Sequence, residues 1–291
     1  MKITLENETI KAELSDLGAT LDSLYDKKAQ LEHAWPYDPA VWPRRTHICF
    51  PVCGKLLDSE YIHRGKLYSM PMHGFLREKS FAIDQQSKSS VTLLFNADRE
   101  TLAIYPFDFS VIVQATLFDQ ELEIAYRVEN HGKDNMPYSI GSHYNYIVPI
   151  NRGETLKEYE IDFGSPQTAG RLEFSDGFIA GKSQDIFNGA RSLRLGNLFS
   201  KGAIAIALAD LSTELVALRG IKSGCFTEVG MSNFDHLLLW APNDASPFVC
   251  LEAWAGLPDL IEHDKVLTNK KAIRILSSGS AHNYSQRIKI G

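Results

Sequence analysis

Apolar and polar positions change over quickly along this chain, and the apolar runs between them are short. In Leu122-Glu-Ile-Ala-Tyr-Arg-Val128 the pattern is plain: Leu122, Ile124, Tyr126 and Val128 share one face of an extended strand. The same reading predicts strands at Lys2–Leu5, Thr9–Leu14, Phe81–Gln85, Ser90–Asn96, Phe109–Phe118, Glu121–Val128 and Pro137–Val148. It continues through Leu156–Phe163, Ala203–Ala209, Glu214–Leu218, His236–Trp240, Phe248–Trp254, Ala272–Leu276 and Tyr284–Ile290. Turn residues such as Asp119-Gln120, Asn130-His-Gly132 and Ser277-Ser-Gly279 fall between them. Helical periodicity is confined to a short piece at Asp98–Tyr105. Many short strands at regular spacing predict an all-β fold, a large antiparallel β-sandwich. No internal repeat, low-complexity segment or linker interrupts the chain, so a single domain over residues 1–291 is expected.

One strand breaks the alternation. Pro247-Phe-Val-Cys-Leu-Glu252-Ala-Trp254 is apolar on both faces except for its glutamate. Phe248, Cys250, Glu252 and Trp254 share a face, which places a carboxylate beside a large ring and away from water. Such a group is either paired inside the core or faces a cleft as a base or ligand anchor.

Residues 33–78 also depart from alternation. The stretch from His33 to His47 is dense in Trp, Tyr, Pro and Arg. Long irregular segments are often functional, and rings beside arginine suit the apolar faces and hydroxyls of sugars. A packed loop with solvated arginines reads equally well from these residues alone.

Bulk properties narrow the function. The 291 residues are 44% hydrophobic and 23% charged, with a net charge of −6, which argues against nucleic acid and anionic membrane surfaces. The N-terminus has charges where a signal peptide is apolar, and no run reaches membrane-spanning length. A soluble cytoplasmic protein, monomer or homodimer, acting on a small molecule is expected. Cys49, Cys53, Cys225 and Cys250 read as free thiols in apolar settings. Cys49-x-x-x-Cys53 has no Cys/His pair at ligand spacing to complete it, so no metal is expected. Gly-rich phosphate loops, dinucleotide fingerprints and Gly-x-Ser-x-Gly are missing, so no cofactor or serine nucleophile is expected either.

What remains is acid/base chemistry. His73 sits at a Pro71-Met-His-Gly74 break, and His143 lies in a strand where Gly141, His143 and Asn145 share a face, with room for a ligand beside the glycine. With Glu252 they could form an acid/base set working near neutral pH. Any one histidine alone reads more readily as a surface or satisfied core residue.

Taken together, several short motifs resemble the aldose 1-epimerase (galactose mutarotase) family, and its LacX-type branch in particular. They are Trp35 and Trp42 ahead of Arg44, Cys49-Phe-Pro-Val-Cys-Gly54, Tyr68-Ser-Met-Pro-Met-His73-Gly-Phe-Leu-Arg77 and Tyr105-Pro-Phe107. Asn130, Pro137-Tyr-Ser-Ile-Gly-Ser-His143, Leu239-Trp240 and Ser246-Pro-Phe-Val-Cys-Leu-Glu252-Ala-Trp254-Ala-Gly256 complete the set. The resemblance implies a β-sandwich with a sugar site on a concave sheet face. It implies Glu252 as general base on the C1 hydroxyl, His143 as general acid on the ring oxygen and His73 as a hydrogen-bond partner near that oxygen. Arg44 resembles the family's sugar contact; Arg77, Asp210, Asn145 and Trp254 are further candidates for substrate binding. Two departures stand out: Tyr144 and Ala253 occupy positions where the family often has proline. His47 stands where small or apolar residues are usual.

A neutral hexose is the expected substrate. Arg44, Arg45 and Arg77 leave a hexose 6-phosphate open as the alternative, and a non-catalytic sugar-binding protein on the same scaffold is the other. A carboxylate beside His143 should hold its pKa near or above the ordinary value of about 6.5.

Overall fold

The computed structural model describes residues 1–199 and 205–291. Two large antiparallel sheets dominate it, as expected for a sandwich. A nine-stranded sheet runs in the order Ser192–Arg194, Tyr159–Asp162, Leu215–Gly220, Phe226–Ser232, Ala281–Ile290, Glu121–Asn130, Phe109–Phe118, Ser90–Asn96, Ala82–Gln86. A seven-stranded sheet runs Phe178–Asp185, Gly170–Ser175, Ile206–Ala209, His236–Trp240, Phe248–Ala255, Ile140–Ile147, His47–Cys49. A four-stranded N-terminal sheet spans Lys2–Glu6 to Leu31–Glu32.

The core lies between the two large sheets. Val113, Leu122, Ile124 and Ile288 enter it from one side, and Tyr146, Val249, Leu251 and Leu239 from the other. Each of these follows the period of two that sets side chains alternately in and out. Across the middle, the Tyr126 and Tyr144 hydroxyls meet at 2.7 Å, which satisfies two polar atoms in an otherwise apolar layer.

The second face of the seven-stranded sheet is covered as well. Residues from the 33–78 region, among them Trp42, Lys55 and His73, and Arg171, Phe174 and Gly177 of the sheet's edge hairpin line a cleft on that face. Strand Phe248–Ala255 is therefore buried at all eight positions, which accounts for its missing alternation.

Three local expectations shift. The predicted strand Pro137–Val148 is two strands: Met136–Tyr138 pairs with Arg274–Leu276, and Ile140–Ile147 joins the large sheet. Strands at Thr20–Asp26, Gly170–Ser175, Phe178–Asp185 and Phe226–Ser232 were not legible, because glycines, serines and charges dilute their alternation. The strand predicted from 203 runs Ile206–Ala209; residues 203 and 204 lie outside the described residues. The short helix is there as Arg99–Ile104, with Asp98 capping the Thr101 N–H.

Candidate active site

Strand register builds the site. His47 pairs with His143, and the pairs Gly141↔Trp254 and Tyr144↔Leu251 set His143 opposite Glu252, which pairs in turn with Leu238. His47, His143, Glu252 and Leu238 therefore form one row across four strands, on the face turned away from the core. The next row on one side is Cys49, Gly141, Trp254 and His236; on the other it is Asn145, Cys250 and Trp240.

His73 comes from a turn instead. Gly74 N–H closes on the Pro71 carbonyl at 2.9 Å, and His73 adopts φ 66°. A non-glycine residue in that region is uncommon and marks a position held by its surroundings. His73 N–H donates to Gly54 O at 3.0 Å, Phe50 N–H donates to His73 O at 3.1 Å, and Gly54 N–H donates to His73 Nδ1 at 3.2 Å. Because Nδ1 accepts, the ring's proton sits on Nε2.

These pieces converge. His143 Nε2 lies 3.4 Å from Glu252 Oε1. His47 stacks on His143 with centroids 4.7 Å apart and planes at 25°. His73 meets both rings and Trp254 edge-on at 5.4 Å. They floor a cleft of about 520 Å³, within the usual range for small-molecule sites. Trp42 and Trp240 wall it, their centroids 4.7 Å apart, and Arg44, Lys55 and Arg171 reach it from the rim.

Burial dominates the electrostatics. It pushes the Glu252 carboxyl well above the usual carboxylate range and pulls His143 down to about 4. It also lowers His47 and His73, and the neighbouring His143 adds to that effect on each. The expectation of a His143 near or above 6.5 is thereby corrected, because burial dominates its surroundings. Burial thus favours the uncharged form of both groups. Glu252 Oε2 is buried and has no partner, so the site still has a hydrogen bond to offer.

The structure gathers Glu252, His143, His73, Arg44 and Trp254 around the cleft. Three other candidates fall outside it. Asn145 lies one row away and its Oδ1 accepts from the Cys250 thiol at 3.0 Å. Arg77 is not among the residues lining the cleft; 12% of its side chain is exposed and its Nε lies 3.5 Å from Glu78. Asp210 is exposed at φ 63°, just past the strand end at Ala209, while Ala207 and Ala209 face the cleft side. The space beside Gly141 is not free for a ligand either: a Cβ there would stand 2.4 Å from Trp254 Cδ1, so the indole fills it. Its Nε1–H donates to the Ser142 carbonyl at 3.2 Å.

His47, whose role the sequence left open, belongs to the floor. Arg45 turns away from the cleft, pairing with Asp22 at 2.9 Å and lying over the Tyr37 ring at 4.3 Å. Lys55 and Arg171 escaped the sequence reading. Lys55 follows Gly54 in a recognisable motif, whereas Arg171 sits on an unpredicted strand with no signal of its own. Cys49 does acquire histidine neighbours: one ligand atom each from His47, Cys49 and His73 lies within 4.8 Å of the others, and the same holds for His143, Cys250 and Glu252.

Sequence comparison gives this antiparallel sandwich and its aromatic cleft a family. The aldose 1-epimerase family profile matches residues 1–176. The chromosomal LacX protein of Lactococcus lactis subsp. lactis is 31% identical over 290 residues, covering 94% of each chain. The chain belongs to the aldose 1-epimerase family. Among solved structures, a galactose mutarotase related enzyme from Lactobacillus acidophilus superposes with TM-score 0.93 at 26% identity, covering all of this chain and 97% of the other. A galactose mutarotase-like protein from Lactobacillus casei ATCC 334 gives TM-score 0.92 at 28% identity, covering 100% of both chains.

Proposed function

We propose that this protein is an aldose 1-epimerase that interconverts the α and β anomers of a free hexose. The observation that carries the reading is the His143–Glu252 contact of 3.4 Å on the floor of a tryptophan-walled cleft. A binding protein has little use for a buried carboxylate and imidazole, since burying them costs stability. An epimerase needs a group that takes the C1 hydroxyl proton and another that protonates the ring oxygen.

The pair, carrying one proton, supplies both. Glu252 in its ionised form accepts the C1 hydroxyl proton, while the imidazolium of His143 protonates the ring oxygen. The C1–O5 bond opens, rotation about C1–C2 exposes the other carbonyl face, and the reverse transfers close the ring. The proton moves to His143 as sugar hydroxyls fill the unmet hydrogen bonds of Glu252. His73 donates from Nε2 near the ring oxygen, and Arg44 binds hydroxyls at the rim.

A second reading, a hexose 6-phosphate, is favoured by Lys55 and Arg171 standing with Arg44 around the cleft. The withdrawal of Arg45 to Asp22 speaks for the neutral sugar. Polarimetry on fresh α-glucose and α-galactose tests the main reading: no acceleration of mutarotation would overturn it. Glucose 6-phosphate outcompeting glucose, with high salt weakening that preference, would select the second reading.

A further inference from the structure

We propose that His47, Cys49 and His73 form a binding site for a zinc-class divalent ion in the floor of the cleft. Cys49 Sγ lies 3.2 Å from His73 Nδ1. A tetrahedral zinc with ordinary bonds holds a sulfur and a nitrogen ligand about 3.5 Å apart, so this pair already stands near metal-bridged spacing. His47 completes the set, its ligand atom within 4.8 Å of the other two.

His47 is also prepared electronically. Its Nδ1 lies 3.0 Å from the Arg45 carbonyl, which can only accept, so Nδ1 carries the proton and Nε2 a lone pair. That Nε2 is buried and has no partner. A buried lone pair beside a thiol and a second imidazole asks for a cation. The scaffold is rigid: His47 and Cys49 are two residues apart on one strand face, and His73 is fixed at both its N–H and its carbonyl. Two nitrogens and a sulfur select borderline or soft ions over magnesium or calcium.

On loading, the Cys49 S–H bond breaks and a sulfur–metal bond forms. The thiol proton leaves to the buffer, and no electron is transferred. The Gly54 N–H that now donates to His73 Nδ1 is displaced, exchanging one neutral hydrogen bond for a metal bond. Three protein ligands leave the ion's fourth position to a solvent ligand on the cleft side, which takes room from the sugar, so the ion competes with it. That consequence rests on the epimerase reading; the binding itself does not.

Titration of the full-length protein with Co²⁺ tests the site. One ion per chain is expected, with a thiolate-to-cobalt charge-transfer band in the near ultraviolet that Zn²⁺ abolishes by displacement. Cys49→Ala should lose the band and weaken Zn²⁺ affinity by at least roughly 100-fold. His47→Phe, which keeps a ring against His143, should do the same and serves if Cys49→Ala does not fold. Cys250→Ala, which belongs to the other cluster, should keep the band. No band in the wild-type protein, or a band that survives Cys49→Ala, overturns the site. In polarimetry Zn²⁺ should raise the apparent KM for galactose; a cobalt-positive protein whose turnover ignores Zn²⁺ overturns the competition. A protein without mutarotase activity sinks the epimerase reading, while the spectrum still decides the site.

Discussion

The strands Glu121–Asn130 and Phe248–Ala255 face each other across one core and obey different rules. The first alternates between buried core positions and residues nearer the solvent. The second is buried throughout, and its outward row carries Cys250, Glu252 and Trp254 where the first strand carries Glu123, Arg127 and Glu129. On the nine-stranded sheet a polar side chain marks the edge of the protein. On the seven-stranded sheet it lies buried in the floor of the cleft. Core and cleft are thus divided between the two faces of a single sheet: Tyr144 and Leu251 pack into the sandwich, and their neighbours His143 and Glu252 line the cleft.

The sharpest break in that symmetry is predicted at Glu252. Glu252→Gln should keep the fold and lower kcat by about 10²–10⁴, the usual contribution of an acid/base group. Near-wild-type mutarotation by the purified variant would remove Glu252 from the mechanism. The wild-type rate should follow a broad bell in pH. Its acidic limb reports a second proton arriving on the His143–Glu252 pair, and it lies below the ordinary histidine value of 6.5 because His143 is drawn down to about 4. Its basic limb reports loss of the pair's only proton, and the raised Glu252 moves it up. Both limbs belong to the pair. A narrow bell centred near 6 would contradict the neutral-pair picture.

The second prediction concerns acid. His33 and His143 are both lowered from 6.5 to about 4 by burial, and His47 and His73 move the same way. Between these values the unfolded chain binds protons that the folded one refuses, so stability is full above about 6.5 and is lost as pH falls toward about 4. His33 and His143 each contribute on the order of 3 kcal/mol to that loss. Urea midpoints should drop steadily from pH 7 to pH 5, and His143→Gln should flatten part of the slope. A pH-independent midpoint would mean that these rings titrate normally.

A pair of glycines gives a smaller and cleaner contrast. Gly141→Ala drives a Cβ to 2.4 Å from the Trp254 ring, with no room to yield, and should cost about 1–3 kcal/mol. Gly230→Ala on the nine-stranded sheet meets Arg287 Cβ at 3.6 Å, an ordinary contact, and should be neutral or stabilise by about 0.5 kcal/mol. Equal melting temperatures for the two variants would show that the site sheet is as tolerant as its partner. The smallest effect belongs to the solvent face. Glu123→Ala, which removes an exposed partner of Arg287, should change stability by less than about 0.5 kcal/mol in a chemical melt. A loss above about 1 kcal/mol would mean that this face carries more than solvated charge.

The sandwich was legible because most strands of the nine-stranded sheet keep one wet face, and period two survives in Leu122 to Val128. Glu252 was legible for the opposite reason, as a charge in a strand that should hold none. The register that sets His143 between His47 and Glu252 was not, because pairing is a long-range property of strands far apart in sequence. For the same reason His47 and Cys49 gave no warning of His73. Asp210 follows the strand end at Ala209, and a strand end says nothing about which way the next residue turns. His143 was misjudged electrostatically because its glutamate was visible in sequence and its burial was not.

The aromatic walls have an optical consequence. All four tryptophans stand on the cleft side of the molecule: Trp35, Trp42 and Trp240 in one cluster with Phe248, and Trp254 in another beside Cys49. The core shared by the two sheets contains tyrosines and phenylalanines but no tryptophan among the described residues. Indole emission from this protein is therefore a signal from one layer. It reads the cleft and its floor, and it is nearly dark to events confined to the nine-stranded sheet, whose loosening must be followed through tyrosine absorbance or backbone dichroism.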